Sequence, residues 1–227
     1  MRRYEISSLR DNGDIRQSQH IAPADPLFEE AFSAMARGTV IETTTGRRAV
    51  EDLLPGDVVV TTSQGPQPVL WIGSMAIVPN APVANKEHSR LIRVLADSYG
   101  GEGTLSDFLG GPAARIVKSS ASFRQNMAHT KMLVPLHDLT DGVNIFEVSP
   151  PSTVAVFHIC LAQHATFMAS GLEIESFHPG YDRFDGLDRN LHALFLTLFP
   201  HVESMADFGA LALPRVSSSA LDSLTAA

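Results

Sequence analysis

The chain has 227 residues, with 17 Lys and Arg against 25 Asp and Glu, a formal net charge of −8. That balance argues against broad binding to nucleic acid or to anionic membranes, and a single cysteine, Cys160, excludes a disulfide framework or a CxxC zinc site. No apolar run approaches the ~18 residues of a membrane helix, and no apolar stretch follows the basic start Met1-Arg2-Arg3, so neither membrane insertion nor a classical secretory signal is expected.

A cytoplasmic or non-classically exported protein fits that start. Residues 1–26 are polar and weakly periodic, with one turn signal at Asn12-Gly13. They read as a flexible or loosely docked N-terminal arm. Residues 27–36 (LFEEAFSAMA) are apolar enough to be the first ordered piece. From Gly38 to about Ile77 the pattern is short and β-like: Thr39-Val40-Ile41, Arg48-Ala49-Val50, Val58-Val59-Val60 and Val69-Leu70-Trp71-Ile72, separated by turns at Gly46, Pro55-Gly56 and Gly65-Pro66. Strands so spaced indicate an all-β module and not βαβ units. Residues 78–87 read as a Pro- and Asn-rich loop, and residues 97–112 as a glycine-rich loop or insertion. Strand-like runs return at 91–94, 114–118, 132–136 and 145–148. Residues 154–161 and 165–169 read as a hairpin turning at Ala162-Gln163.

The end changes character. Leu187, Leu191, Leu194, Phe195 and Leu198 form a helical stripe, with Asp185 placed as N-cap, Asp188 in the first turn and Pro200 as the stop. The domain plan is therefore an arm (1–26), a β domain (27–184), an amphipathic helix packed on it (185–200) and a partly disordered Ser- and Ala-rich tail (201–227).

One internal similarity links two parts of the β region. Val50-Glu51-Asp52-Leu53-Leu54-Pro55-Gly56 and Leu136-His137-Asp138-Leu139-Thr140-Asp141-Gly142 share an apolar residue, Asp, Leu and Gly at the first, third, fourth and seventh positions. Such a recurrence implies two related halves, each turning into a strand in the same way.

Two blocks carry a family resemblance. The first is Gly38-Thr39-Val40-Ile41, Val50-Glu51-Asp52-Leu53-x-Pro55-Gly56-Asp57 and Gln67-Pro68-Val69-x-Trp71-Ile72-Gly73. The second runs from Val156-Phe157-His158-Ile159 through His164-x-x-Phe167 and Gly171-Leu172 to Glu175-Ser176-Phe177-x-Pro179-Gly180. Together they resemble the Hint (Hedgehog/intein) domain family, most of all its bacterial type, over roughly residues 32–200. The resemblance implies an all-β, pseudo-two-fold horseshoe or disc closed by the C-terminal helix. It also implies a chemistry: a Cys or Ser side chain attacks the preceding carbonyl, an amide becomes a thioester or ester, and a second nucleophile resolves it.

On that resemblance the nucleophile falls at Ala34, four residues ahead of Gly38, where a methyl group cannot attack a carbonyl. Ser33 is the substitute one residue earlier. The family's middle block, Ser-Pro-x-His-Arg, is matched to Ser120-Ala121-Ser122-Phe123-Arg124, which places Phe123 at the imidazole position, with His129 further on. Glu175-Ser176 stands where inteins carry His-Asn. The expectation is a domain degenerate for autoprocessing that acts as a binding or scaffold module for a peptide or protein partner, with no cofactor and no metal. The alternative is autocatalytic cleavage near residues 32–34 through Ser33.

His158 and His164 are the remaining candidates. Across a hairpin their Cβ atoms would face each other at about 5 Å. They read as a hydrogen-bonded pair fixing the hairpin, with a residual acid–base or metal-hydrolase role as the alternative; no HExxH spacing supplies a third ligand. Cys160 reads as an inert buried thiol, His178-Pro179-Gly180 as a turn, Trp71 as core, and Arg47-Arg48 as a solvated turn pair. The Gly100-Gly101-Glu102-Gly103 run does not open a helix as a phosphate loop would.

Overall fold

In a computed structural model the described residues are 1–79, 90–96, 106–119, 130–180, 184 and 186–217. The polar N-terminus is ordered: β1 (Arg2–Leu9) and β2 (Ile15–Ala22) form an antiparallel hairpin. Gly13, at φ +85°, makes the turn between them. Tyr4, Ile6 and Ser8 alternate inward, and β1 pairs with β7 (Pro66–Ile77) from Glu5↔Ser74 to Ser8↔Trp71. The expected flexible arm is therefore part of the sheet. Its pattern was easy to miss because one of its three inward positions is a serine and β2 is exposed along most of its length.

Asp25 caps the short helix α1 (Pro26–Glu29), and a 3₁₀ turn (Glu30–Phe32) leads to β3 (Met35–Ala36). Next come β4 (Val40–Thr43), β5 (Gly46–Ala49) and β6 (Val58–Val60), then the long β7. Beyond it lie β8 (Leu91–Val94), β9 (Phe108–Gly110), β10 (Arg115–Ser119), β11 (Lys131–Pro135) and β12 (Ile145–Val148). Strand β9 sits inside the stretch read as a loop. The closing strands are β13 (Val154–Leu161), β14 (Thr166–Ala169) and β15 (Leu172–Glu175).

Among the described residues these strands form one open sheet, ordered β11-β10-β15-β14-β4-β6-β7-β13-β3-β9-β8-β12, with β1 and β2 branching from β7 and β5 from β4. Strand β13 pairs with β7 and β3, whereas β14 pairs with β15 and β4. The expected 154–169 hairpin does not exist. The chain crosses from one half of the sheet to the other at residues 162–165, and the tight hairpin is β14–β15, turning at Ser170-Gly171, both with positive φ.

The internal repeat is structural. Val50–Asp52 and Leu136–Leu139 are both 3₁₀ turns with their first residue fully buried, and Gly56 and Gly142 both take positive φ. Each places an aliphatic side chain in a shared core with Ile41, Val59, Val69 and Ile159. A second core is aromatic: Tyr4, Phe28, Phe32, Trp71, Phe177, Phe195, Phe199 and Phe208. Trp71 donates its indole N–H to the Leu198 carbonyl at 2.7 Å and packs tilted against Phe199, ring centroids 4.8 Å apart. Its ring lies over Gly73, where a Cβ would stand 2.1 Å from the indole. That contact explains the glycine in Trp71-Ile72-Gly73.

The C-terminal helix α2 is Arg189–Leu196, shorter than the expected 185–200, and its cap is Asp188, whose carboxylate accepts from Asn190 and Leu191 N–H. The expected cap, Asp185, lies outside the described residues. Phe195 and Leu198 face the aromatic core, while Leu194 is on the exposed side. Residues 201–217, expected as a loose tail, are laid against the domain and bridge to β11 at Leu133↔Arg215.

Candidate functional site

Ser33 ends the 3₁₀ turn at φ −132°, ψ 43°, and Ala34 leads into β3. The peptide between them is held at both ends, and the next carbonyl is held as well. Ala34 N–H donates to the Phe157 carbonyl at 3.0 Å, the Ala34 carbonyl accepts from Gly111 N–H at 2.9 Å, and the Ser33 carbonyl accepts from Ala113 N–H at 3.0 Å. Gly111 approaches so closely that a Cβ there would stand 2.1 Å from the Ser33 oxygen. Both residues are buried, and among the described residues the Ser33 hydroxyl has no hydrogen-bond partner.

The segment whose backbone faces this bond is Gly111-Pro112-Ala113. Phe123 and His129 lie outside the described residues. A cavity of about 430 Å³ opens beside that segment, lined by Ala113, Ala114, Glu30, Arg115, His137 and Glu147 among others.

His158 and His164 do not face each other. His158 points its Nδ1–H at the Glu30 carbonyl, 3.0 Å away, and packs edge-on against Phe177. A carbonyl only accepts, so this contact fixes the tautomer. Burial lowers its pKa to about 4, more than its bond to Glu30 raises it, so it is a neutral ring tying the 3₁₀ turn to β13. His164 sits where the chain crosses between sheet halves. Its Nδ1 accepts from Ala212 N–H at 2.8 Å and its Nε2–H lies 2.9 Å from Glu175 Oε1.

Glu175 is the centre of a buried charge cluster. Burial works to raise its pKa, but the His164 hydrogen bond and the Arg215 and Arg115 guanidinium groups prevail and hold it at about 2. Arg215 Nε donates to Oε1 at 2.8 Å, and Arg115 lies 3.7 Å from Oε2 and 3.7 Å from Glu30. Ser176, beside it, accepts from Ala165 N–H. His178 accepts from Gly180 N–H and donates to the Gly209 carbonyl, and burial lowers its pKa to about 4. Sequence reading missed Arg215, because no local pattern marks a residue that acts from a distant tail. Cys160 is buried, and burial pushes its thiol well above the ordinary range. Among the described residues no three His, Cys, Asp or Glu side chains are placed to hold a metal, and no helix is long and apolar enough to cross a membrane.

The family model of the Hint domain matches residues 33–181. No curated protein matches the chain. Among solved structures, it is similar to a bacterial intein-like domain from Clostridium thermocellum, at 14% identity over 64% of this chain and 99% of that one, with a TM-score of 0.46. It is also similar to the gp41-1 intein, at 11% identity over 64% and 98% of the two chains with a TM-score of 0.38. A DnaB intein from Synechocystis sp. PCC 6803 matches at 10% identity over 64% and 99%, with a TM-score of 0.39. With a match that begins at Ser33, beside the bond described above, and spans most of the β sheet, the chain belongs to the Hint domain family.

Proposed function

We propose that this Hint domain does not cleave itself and works as a binding module for a peptide or protein partner. The observation that carries this reading is the chemistry around the Ser33–Ala34 peptide. On the family resemblance that bond is the one an acyl shift would use, yet Ala34 offers a methyl group in place of a thiol, and the same resemblance puts Phe123 at the imidazole position. The geometry of an oxyanion site persists, since Ala113 N–H still donates to the carbonyl. What is missing is a nucleophile and a proton donor.

The second reading rests on the Ser33 hydroxyl, buried and without a partner among the described residues. Its Oγ would attack the Phe32 carbonyl carbon, the Phe32–Ser33 amide nitrogen would leave as a free amine, and water would hydrolyse the ester. One experiment separates the two. The purified chain is incubated with hydroxylamine or dithiothreitol and weighed under denaturing conditions. Unchanged full mass supports the first reading; fragments 1–32 and 33–227 overturn it. The variant Ala34→Cys tests the geometry. It is expected to form a thioester at Ser33 and to split under thiol.

A further inference from the structure

Residues 209–217 lie on the protein without entering it. None of them is buried, and the last core residue before them is Phe208. Polar contacts hold the segment. Its backbone adds to β11: Leu133 N–H donates to the Pro214 carbonyl at 2.9 Å, and Val216 N–H to the Leu133 carbonyl at 3.0 Å. His178 Nε2–H reaches the Gly209 carbonyl at 2.9 Å, and Ala212 N–H reaches His164 Nδ1 at 2.8 Å.

One side chain goes deeper. Arg215 donates through Nε to Glu175 Oε1 at 2.8 Å and through Nη2 to the His178 carbonyl at 2.7 Å. Its Nη1 lies over Gly180, at positive φ, where a Cβ would stand only 3.0 Å away. A buried carboxylate, a carbonyl in the same direction and a missing side chain make a receptacle shaped for a planar fork of N–H donors. His164 and Arg115 hold the carboxylate from its other sides.

We infer that the groove along β11 and Glu175 is a binding site for an extended, arginine-bearing peptide segment, which residues 209–216 occupy within their own chain. Strand addition supplies the backbone contacts, and the guanidinium pocket selects the side chain. A segment with no side chain in the core belongs to the part of the molecule that opens at least cost, so an outside segment of the same chemistry competes for the groove. The inference deepens the binding-module reading and rests on it.

The test keeps the chain folded before the groove is opened. A protease recognition sequence is inserted after Gly209, and the full chain is purified and then cut. A labelled peptide Leu-Ala-Leu-Pro-Arg-Val-Ser is added, and its partner is the same peptide with Ala in place of Arg. The arginine peptide is expected to displace the cut segment and to bind about tenfold or more tightly than the alanine one, the scale of one charged hydrogen-bonded contact. Equal binding of the two peptides, or none while the cut protein keeps its circular dichroism, overturns the inference. In the uncut chain, Arg215→Ala is expected to raise chymotryptic cleavage after Leu211 and to admit the arginine peptide. If Arg215→Ala fails to fold, the cut chain still decides. The masses measured for self-cleavage are independent of both readouts, so loss of this site and loss of the cleavage-dead reading are told apart.

Discussion

Three glycines show how single positions govern this fold. Gly73 makes room for the Trp71 ring, Gly111 for the Ser33 carbonyl and Gly180 for Arg215. At Gly73 and Gly111 the contacts are with packed rings and a backbone carbonyl, so the neighbour cannot simply swing away. Gly73→Ala forces Trp71 or Phe32 out of the aromatic core, and its expected cost is about 1–3 kcal/mol or more. Thermal melting checks this, and the indole fluorescence is expected to shift because the Trp71 bond to Leu198 is strained. The sequence announced Gly73 through its motif with Trp71. It could not announce Gly111 or Gly180, whose neighbours are distant in the chain. The candidate site divides in the same way. Ala34 is legible because it is adjacent to a motif; the middle-block residues Phe123 and His129 lie outside the described residues.

At the scale of elements, β-branched runs identified most strands, but pairing followed other rules. Nothing in 154–169 distinguishes a hairpin from a crossing between sheet halves, since both need a short turn flanked by apolar residues. The β1–β2 hairpin was read as an arm because β2 shows both faces to solvent and so lacks an apolar face. The helix stripe was legible, but its start depends on which of two aspartates caps it. Asp188 accepts two backbone N–H groups, so Asp188→Ala is expected to cost about 1 kcal/mol. Comparing denaturant midpoints with the native chain checks that value, and a change at Glu203, exposed and off this helix, serves as a control.

The whole molecule joins two cores through β7, which pairs with β6, β13 and the N-terminal β1. Its polar interior sets its response to acid. His158, His178 and His201 are each held near pKa 4, chiefly by burial, against an ordinary value of about 6.5. The unfolded chain therefore binds more protons between those limits, and stability is full above pH 6.5 and falls as pH drops toward 4. Glu175, held at about 2, withdraws its own contribution only below its unfolded value near 4.5. Melting temperature is expected to be flat from pH 8 to 7 and to decline steeply from 6 to 4. A flat profile across that range contradicts the buried, neutral histidines.

The pairing of β1 with β7 has one more consequence. In a self-cutting domain, whatever precedes the cut is a passenger, released when the bond breaks. Here the residues ahead of Ser33 include a strand paired with Trp71–Ser74 and a tyrosine deep in the aromatic core. Severing the backbone at that point would free nothing, because the preceding residues have become part of the wall.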